Sequence, residues 1–153
     1  MKNKSLFTSV AWPAARRPAR ADILERIDSV IPWNSLAELI EQPPVGPRGG
    51  RPSHSRLLLL RVWVLQQLYR VSDEAAECLI LDSHSAAAFV GLDPWKPRPP
   101  SASAIANFRR MVATSPNGQK IQRRFENAVL RADIELRPGY LVEPVLRKRN
   151  GAG

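Results

Sequence analysis

One run of residues constrains this chain most. Leu57 to Leu65 reads LLLLRVWVL and is apolar at every position except Arg61. At about 1.5 Å per helical residue the run is far too short to cross a bilayer. A segment apolar on nearly all sides has to be surrounded by protein, so it predicts the central, most buried helix of a folded core. Ser53 is positioned to cap that helix, which should run from about His54 to Tyr69. Arg70-Val71 then forms a tight connection to the next element.

The surrounding sequence is helical in pattern. Asp22 can cap a helix carrying Leu24, Ile27 and Ile31, which Pro32 ends. Ser35 and Glu38 have capping-box spacing and predict a second short helix with Leu36, Leu39 and Ile40, stopped by Pro43-Pro44. Ser72 caps a helix that starts with Asp73 and Glu74, where the helix dipole favours negative charge, and that buries Ala75, Ala76, Cys78 and Leu79. Asp82-Ser83 begins a short helix through Val90, with Gly91 as its C-terminal cap. After the proline-rich PWKPRPP, Ser101 or Ser103 caps a helix to about Thr114 with Ile105, Phe108, Met111 and Val112 inside. Ser115-Pro116-Asn117-Gly118 reads as a break, followed by an amphipathic helix from Gln119 to Ala132. Arg137-Pro138-Gly139 reads as a turn, and Tyr140 to Leu146 as one isolated strand.

The expected fold is therefore all-α, a helical bundle with a helix-turn-helix-like core and a short C-terminal strand remnant. The organisation expected is a flexible basic arm over 1–21, a helical domain over 22–115, and a connecting helix with its remnant over 116–153. Neither 1–20 nor 134–153 offers the core much apolar surface, so the fold should survive their loss.

Charge points to a polyanionic partner. The net charge is +9, and the zoning is uneven: residues 1–20 hold five basic and no acidic side chains, whereas 22–42 and 71–93 are net acidic. Within the helix at 103–114, Ser103, Asn107, Arg110 and Thr114 fall on one polar stripe opposite Ile105, Phe108 and Val112. Asn and Arg can make bidentate contacts to adenine and guanine edges. Arg109 flanks the stripe and suits a phosphate. Any amphipathic helix has a polar face, so simple solvation is the rival reading. Arg48 and Arg51, bordered by Gly and Pro, have the character of a groove-reaching or phosphate-clamping arm, and an ordinary basic loop is the rival there. Arg16, Arg17 and Arg20 form a weaker arm, and Arg147-Lys148-Arg149 a nonspecific one.

Other chemistry is poorly supplied. Cys78 is the single cysteine, which excludes a disulfide framework, fits a cytoplasmic setting and suits a core position. His54 and His84 lack metal-ligand spacing with it and suit surface or capping roles. No phosphate loop, nucleophile elbow or dinucleotide fingerprint is present, and no cofactor is expected. Trp33 and Trp63 suit packing. Trp95, in the proline-rich loop, is the tryptophan that could meet a ligand.

Several landmarks occur in a recognisable order. They are Ile27-Asp28 with Ile31-Pro32-Trp33, Gly50-Arg51-Pro52, Leu65-Gln66-Gln67-Leu68-Tyr69, Leu81-Asp82-Ser83, Phe89-Val90-Gly91-Leu92-Asp93, and Ile105 with Phe108-Arg109. Over some ninety residues this order resembles the N-terminal region of the InsH-type DDE transposases, insertion-sequence family five. The resemblance implies binding to double-stranded DNA at the terminal inverted repeats of a mobile element, as a homodimer or in mixed oligomers with an intact transposase. It also implies a following ribonuclease-H-like domain whose three carboxylates hold two metal ions. Glu143 stands where that family has its first catalytic Asp, Pro144 is poorly suited to a central strand, and nothing after Leu146 supplies two further carboxylates. The chain is thus expected not to be an enzyme on its own. It would be a fragment, the first half of a frameshifted gene, or a regulator competing for transposon ends. The rival functions are an oligomerisation module without DNA specificity, suggested by how apolar Leu57–Leu65 is, and an enzyme assembled in trans with a separately encoded catalytic half, which would put Glu143 to use.

Overall fold

The computed structural model describes residues 19–40, 54–137, 139 and 141–146. Arg48, Arg51, Ser53, the arm through Pro18 and the C-terminal Arg147-Lys148-Arg149 lie outside the described residues. The elements are α1 (Ala19–Val30), α2 (Trp33–Glu38), α3 (Arg56–Tyr69), α4 (Asp73–Asp82), α5 (His84–Val90), α6 (Ala102–Thr114), α7 (Pro116–Arg131), β1 (Ile134–Glu135) and β2 (Val145–Leu146). The fold is all-α. Among the described residues the strand content is one antiparallel pair, Ile134 opposite Leu146 and Glu135 opposite Val145, so the end of the described chain returns to β1 instead of standing as an isolated strand.

Serines set most of the helix boundaries. Ser55, Ser72, Ser83, Ser101 and Ser115 each accept, on the side-chain oxygen, the backbone N–H three residues ahead, at 2.9–3.2 Å. Each cap satisfies a donor that the helix itself cannot, worth about 1 kcal/mol. Ser83 and Ser115 each end one helix and begin the next. Between α3 and α4, Arg70 takes a left-handed conformation (φ 52°, ψ 47°), and after α5 Gly91 does the same at φ 92°.

Four boundaries differ from the sequence pattern. α3 is capped by Ser55 and starts at Arg56, two residues later than the expected start at His54 behind Ser53. α1 is already helical at Ala19, so Asp22 sits in its first turn and Ala21 is core. α2 starts at Trp33 after Pro32 with no side-chain cap, and the Ser35 hydroxyl donates instead to the Pro32 carbonyl. Ser115-Pro116 begins α7 where a break was expected, because a proline at the first helical position lacks only an N–H that would be unpaired anyway.

α3 is the centre, packed by α2, α4, α5 and α6, while α1 lies on α5 and α7. Leu60 and Val62 to Leu65 are buried, and Leu57, Leu58 and Leu59 are half-buried against the same cluster. The chain's own helices therefore cover its most apolar segment. The core continues through Ile121, Phe125 and Val129 of α7 to Ile134, so residue 134 belongs to it, contrary to the expectation for the C-terminal stretch. Trp33 meets Phe89 edge-on at 5.8 Å, and Trp63 meets Phe125 at 5.5 Å. Cys78 is exposed, not core. Ala76, Leu79 and Ile80 define the buried side of α4, and two residues on from Ala76 the helix has turned by about 200°, to the opposite face.

The one polar position in the apolar run is paired internally. Arg61 Nη1 donates to Asp28 Oδ1 at 2.5 Å and to the Phe89 carbonyl at 2.9 Å, with its guanidinium 4.1 Å over the Trp33 ring. Trp33 Nε1 in turn donates to the Asp28 carbonyl at 3.1 Å. These contacts offset part of the cost of burying the pair, although Arg61 Nε finds no partner among the described residues.

Candidate nucleic-acid interface

α6 presents the expected face. Ile105, Phe108 and Val112 are buried, and Ser103, Asn107, Arg110 and Thr114 are exposed along the opposite side. The stripe has little internal bonding. Arg110 Nη1 reaches Asn107 Oδ1 only at 3.4 Å, and the Thr114 hydroxyl donates back to the Arg110 carbonyl at 2.9 Å. The Asn107 amide and the Arg110 guanidinium therefore stand side by side in solvent, able to offer planar donor and acceptor edges.

Arg109 is engaged differently. Its Nε and Nη2 donate to the two carboxylate oxygens of Asp73 at 3.0 and 2.9 Å. Asp73 opens α4 behind its Ser72 cap and also accepts from Gln66 Nε2 at 3.0 Å. The fork thus ties α6 to the α3–α4 connection. The Arg109 hydrogen bonds hold the Asp73 carboxyl below its usual range, against an opposing push from partial burial, and Asp73 raises Arg109 in return. Glu77, also on α4, accepts from the Ala102 backbone N–H at 3.2 Å and fixes the start of α6 from the same helix. Sequence reading missed these tethers because their partners are 36 and 25 residues apart.

Further residues named by the sequence lie elsewhere. Trp95 is 53% exposed and leans on the His84 ring at 4.3 Å. Arg20 does not project as part of a basic arm. It donates through Nε to Glu143 Oε1 at 2.6 Å, while the Tyr69 hydroxyl donates to Glu143 Oε2 at 2.7 Å. The Leu141 N–H adds a bond to the Tyr69 carbonyl at 2.8 Å. Both oxygens of Glu143 are thereby occupied in a clasp joining α1, α3 and the C-terminal return. Burial first, and Glu143 second, push the Tyr69 phenol far above its ordinary value. An open hollow of about 380 Å³ beside the clasp is lined by Arg20, Asp82, Ser83, His84, Ser85 and Glu143. Among the described residues no three His, Cys, Asp or Glu side chains come together to hold a metal ion. Nor is any described helix long and apolar enough to cross a membrane.

A family model described as Transposase domain (DUF772) matches residues 13–111, from ahead of α1 to the Arg109-Arg110 end of α6. The chain belongs to this transposase domain family. Its function is accordingly related to transposition. The matched span includes Ser103, Asn107 and Arg110 of the α6 stripe and both tethers of this transposase domain, whereas Thr114, α7 and the Glu143 clasp residues of the C-terminal return lie beyond it. No solved structure matches the chain.

Proposed function

We propose that this transposase domain binds duplex DNA and reads the terminal inverted repeats of an insertion sequence of the InsH type, with α6 as its recognition helix. The observation that carries the reading is the pairing of two roles on α6. Asn107 and Arg110 are exposed together, while the neighbouring Arg109 and the start of the helix are fastened to α4. A reading helix has to be held at a fixed angle, because base contacts discriminate only when donor and acceptor positions are set in advance. Arg109 accordingly acts as a brace for α6 and not as the free phosphate contact its position in the sequence suggests. The net charge of +9 supplies sequence-independent attraction.

Glu143 serves in this reading as a structural clasp. With Arg20 on one oxygen and Tyr69 on the other, the Glu143 carboxylate joins α1, α3 and the C-terminal return. The activity of the described residues is then binding without strand cleavage, and the domain competes for, or delivers a partner to, transposon ends. The test is a binding titration on an inverted-repeat duplex and a scrambled duplex, comparing the wild type with Asn107→Ala/Arg110→Ala. Selectivity that the double substitution removes supports the proposal.

A further inference from the structure

α7 carries a charge pattern that the fold does not need. Ile121, Phe125, Ala128 and Val129 make its buried side, and Lys120, Arg123, Arg124 and Arg131 are all exposed on the remainder. The only carboxylate on the helix is Glu126, which accepts from its own neighbour Gln122 at 3.2 Å. Lys120, Arg123 and Arg124 stand at i, i+3 and i+4, the spacing at which side chains on a helix are neighbours. Like charges so placed disfavour an isolated helix, so the cluster is a small standing cost to the protein. A polyanion laid along this face would relieve it.

The position of α7 indicates which polyanion. Ser115 ends α6 and caps α7, and the Gly118 backbone lies against the Val112 carbonyl, so the two helices form one rigid hairpin. The cations therefore ride on the same body that presents Asn107 and Arg110. A lipid surface fits poorly, because an interfacial helix must bury its apolar face in the membrane and that of α7 is already spent on the core. We infer that Lys120, Arg123 and Arg124 form a phosphate-backbone contact of the domain, engaging the duplex beside the site read by α6. This rests on the reading that the domain binds duplex DNA, and α7 begins beyond the residues matched by the family.

The test uses the full chain with Lys120→Gln/Arg123→Gln/Arg124→Gln, titrated against the repeat and scrambled duplexes over a range of salt. Removing three phosphate contacts should flatten the slope of log affinity against log salt by about 2–3. The loss should be similar on both duplexes, leaving their ratio unchanged. Asn107→Ala/Arg110→Ala should instead erase the ratio and change the slope by no more than about 1. A flattened slope with a ratio insensitive to the α6 double substitution would support the phosphate contact and reject α6 as the reader. An unchanged slope in the triple variant would overturn the inference. Should that variant fail to fold, Glu126→Lys reads the same face by addition, with a slope steeper by about 1 expected and an unchanged slope overturning it. Binding of the wild type to phosphatidylserine vesicles as tight as to duplex, lost in the triple variant, would also overturn it.

Discussion

Gly118 lies so close to Val112 that no side chain fits between them: a Cβ at residue 118 would stand 1.8 Å from the Val112 carbonyl oxygen. The obstacle is backbone, which cannot swing aside as a flexible side chain does. Gly118→Ala gains roughly 1 kcal/mol of helix propensity and still should lose at least about 2 kcal/mol net, because α6 and α7 must separate. Urea unfolding measures this. A neutral or stabilising result would mean that the hairpin is not packed as described.

The Arg61–Asp28 pair should behave as a buried pair whose halves depend on each other. The side chains are only 9% and 4% exposed. Asp28→Ala leaves the guanidinium without its anion and should cost about 3–5 kcal/mol. Asp28→Ala combined with Arg61→Met should recover much of that loss, since apolar replacement of both partners removes the stranded charge. Additive losses in a double-mutant cycle would contradict the pairing.

The clasp predicts an alkaline signature. The Tyr69 phenol is raised, by burial first and Glu143 next, so the folded state favours the protonated form more than the unfolded state does. Its stabilising contribution is complete below the unfolded value of about 10 and is lost as pH rises above it. Ultraviolet titration should show Tyr69 remaining a phenol until the protein unfolds. Tyr69→Phe should remove that step, and Glu143→Gln should weaken it. An ordinary ionisation of Tyr69 near pH 10 in the folded protein would contradict the clasp.

What was legible in the sequence follows the range of the interactions. The Ser72, Ser83 and Ser101 caps act over three residues, and the buried turns of α3 announce themselves as an apolar run, so the order of helices could be read directly, although the cap of α3 is Ser55 and not the expected Ser53. Ser115 to Gly118 misled because Pro, Asn and Gly are loop-formers in most settings. Here the proline starts a helix, and the glycine answers to Val112 across the hairpin. Cys78 misled because its apolar neighbours do not fix which way a ten-residue helix is turned. The roles of Arg109 and Arg20 were hidden for another reason. Arg109 bonds Asp73 36 residues away, Arg20 bonds Glu143 123 residues away, and an arginine on a polar face looks the same whether it awaits a phosphate or already holds a carboxylate.

Sequence reading by α6 is open to a direct binding test. The full chain is titrated with a terminal inverted-repeat duplex of an InsH-type insertion sequence and with a scrambled duplex, at roughly 150 mM salt. Tighter binding to the repeat is expected, with Asn107→Ala/Arg110→Ala removing the difference at a cost of about 1–3 kcal/mol per lost base contact. Equal, weak binding to both duplexes that disappears with added salt would contradict it and leave the exposed face of α6 as ordinary solvated surface.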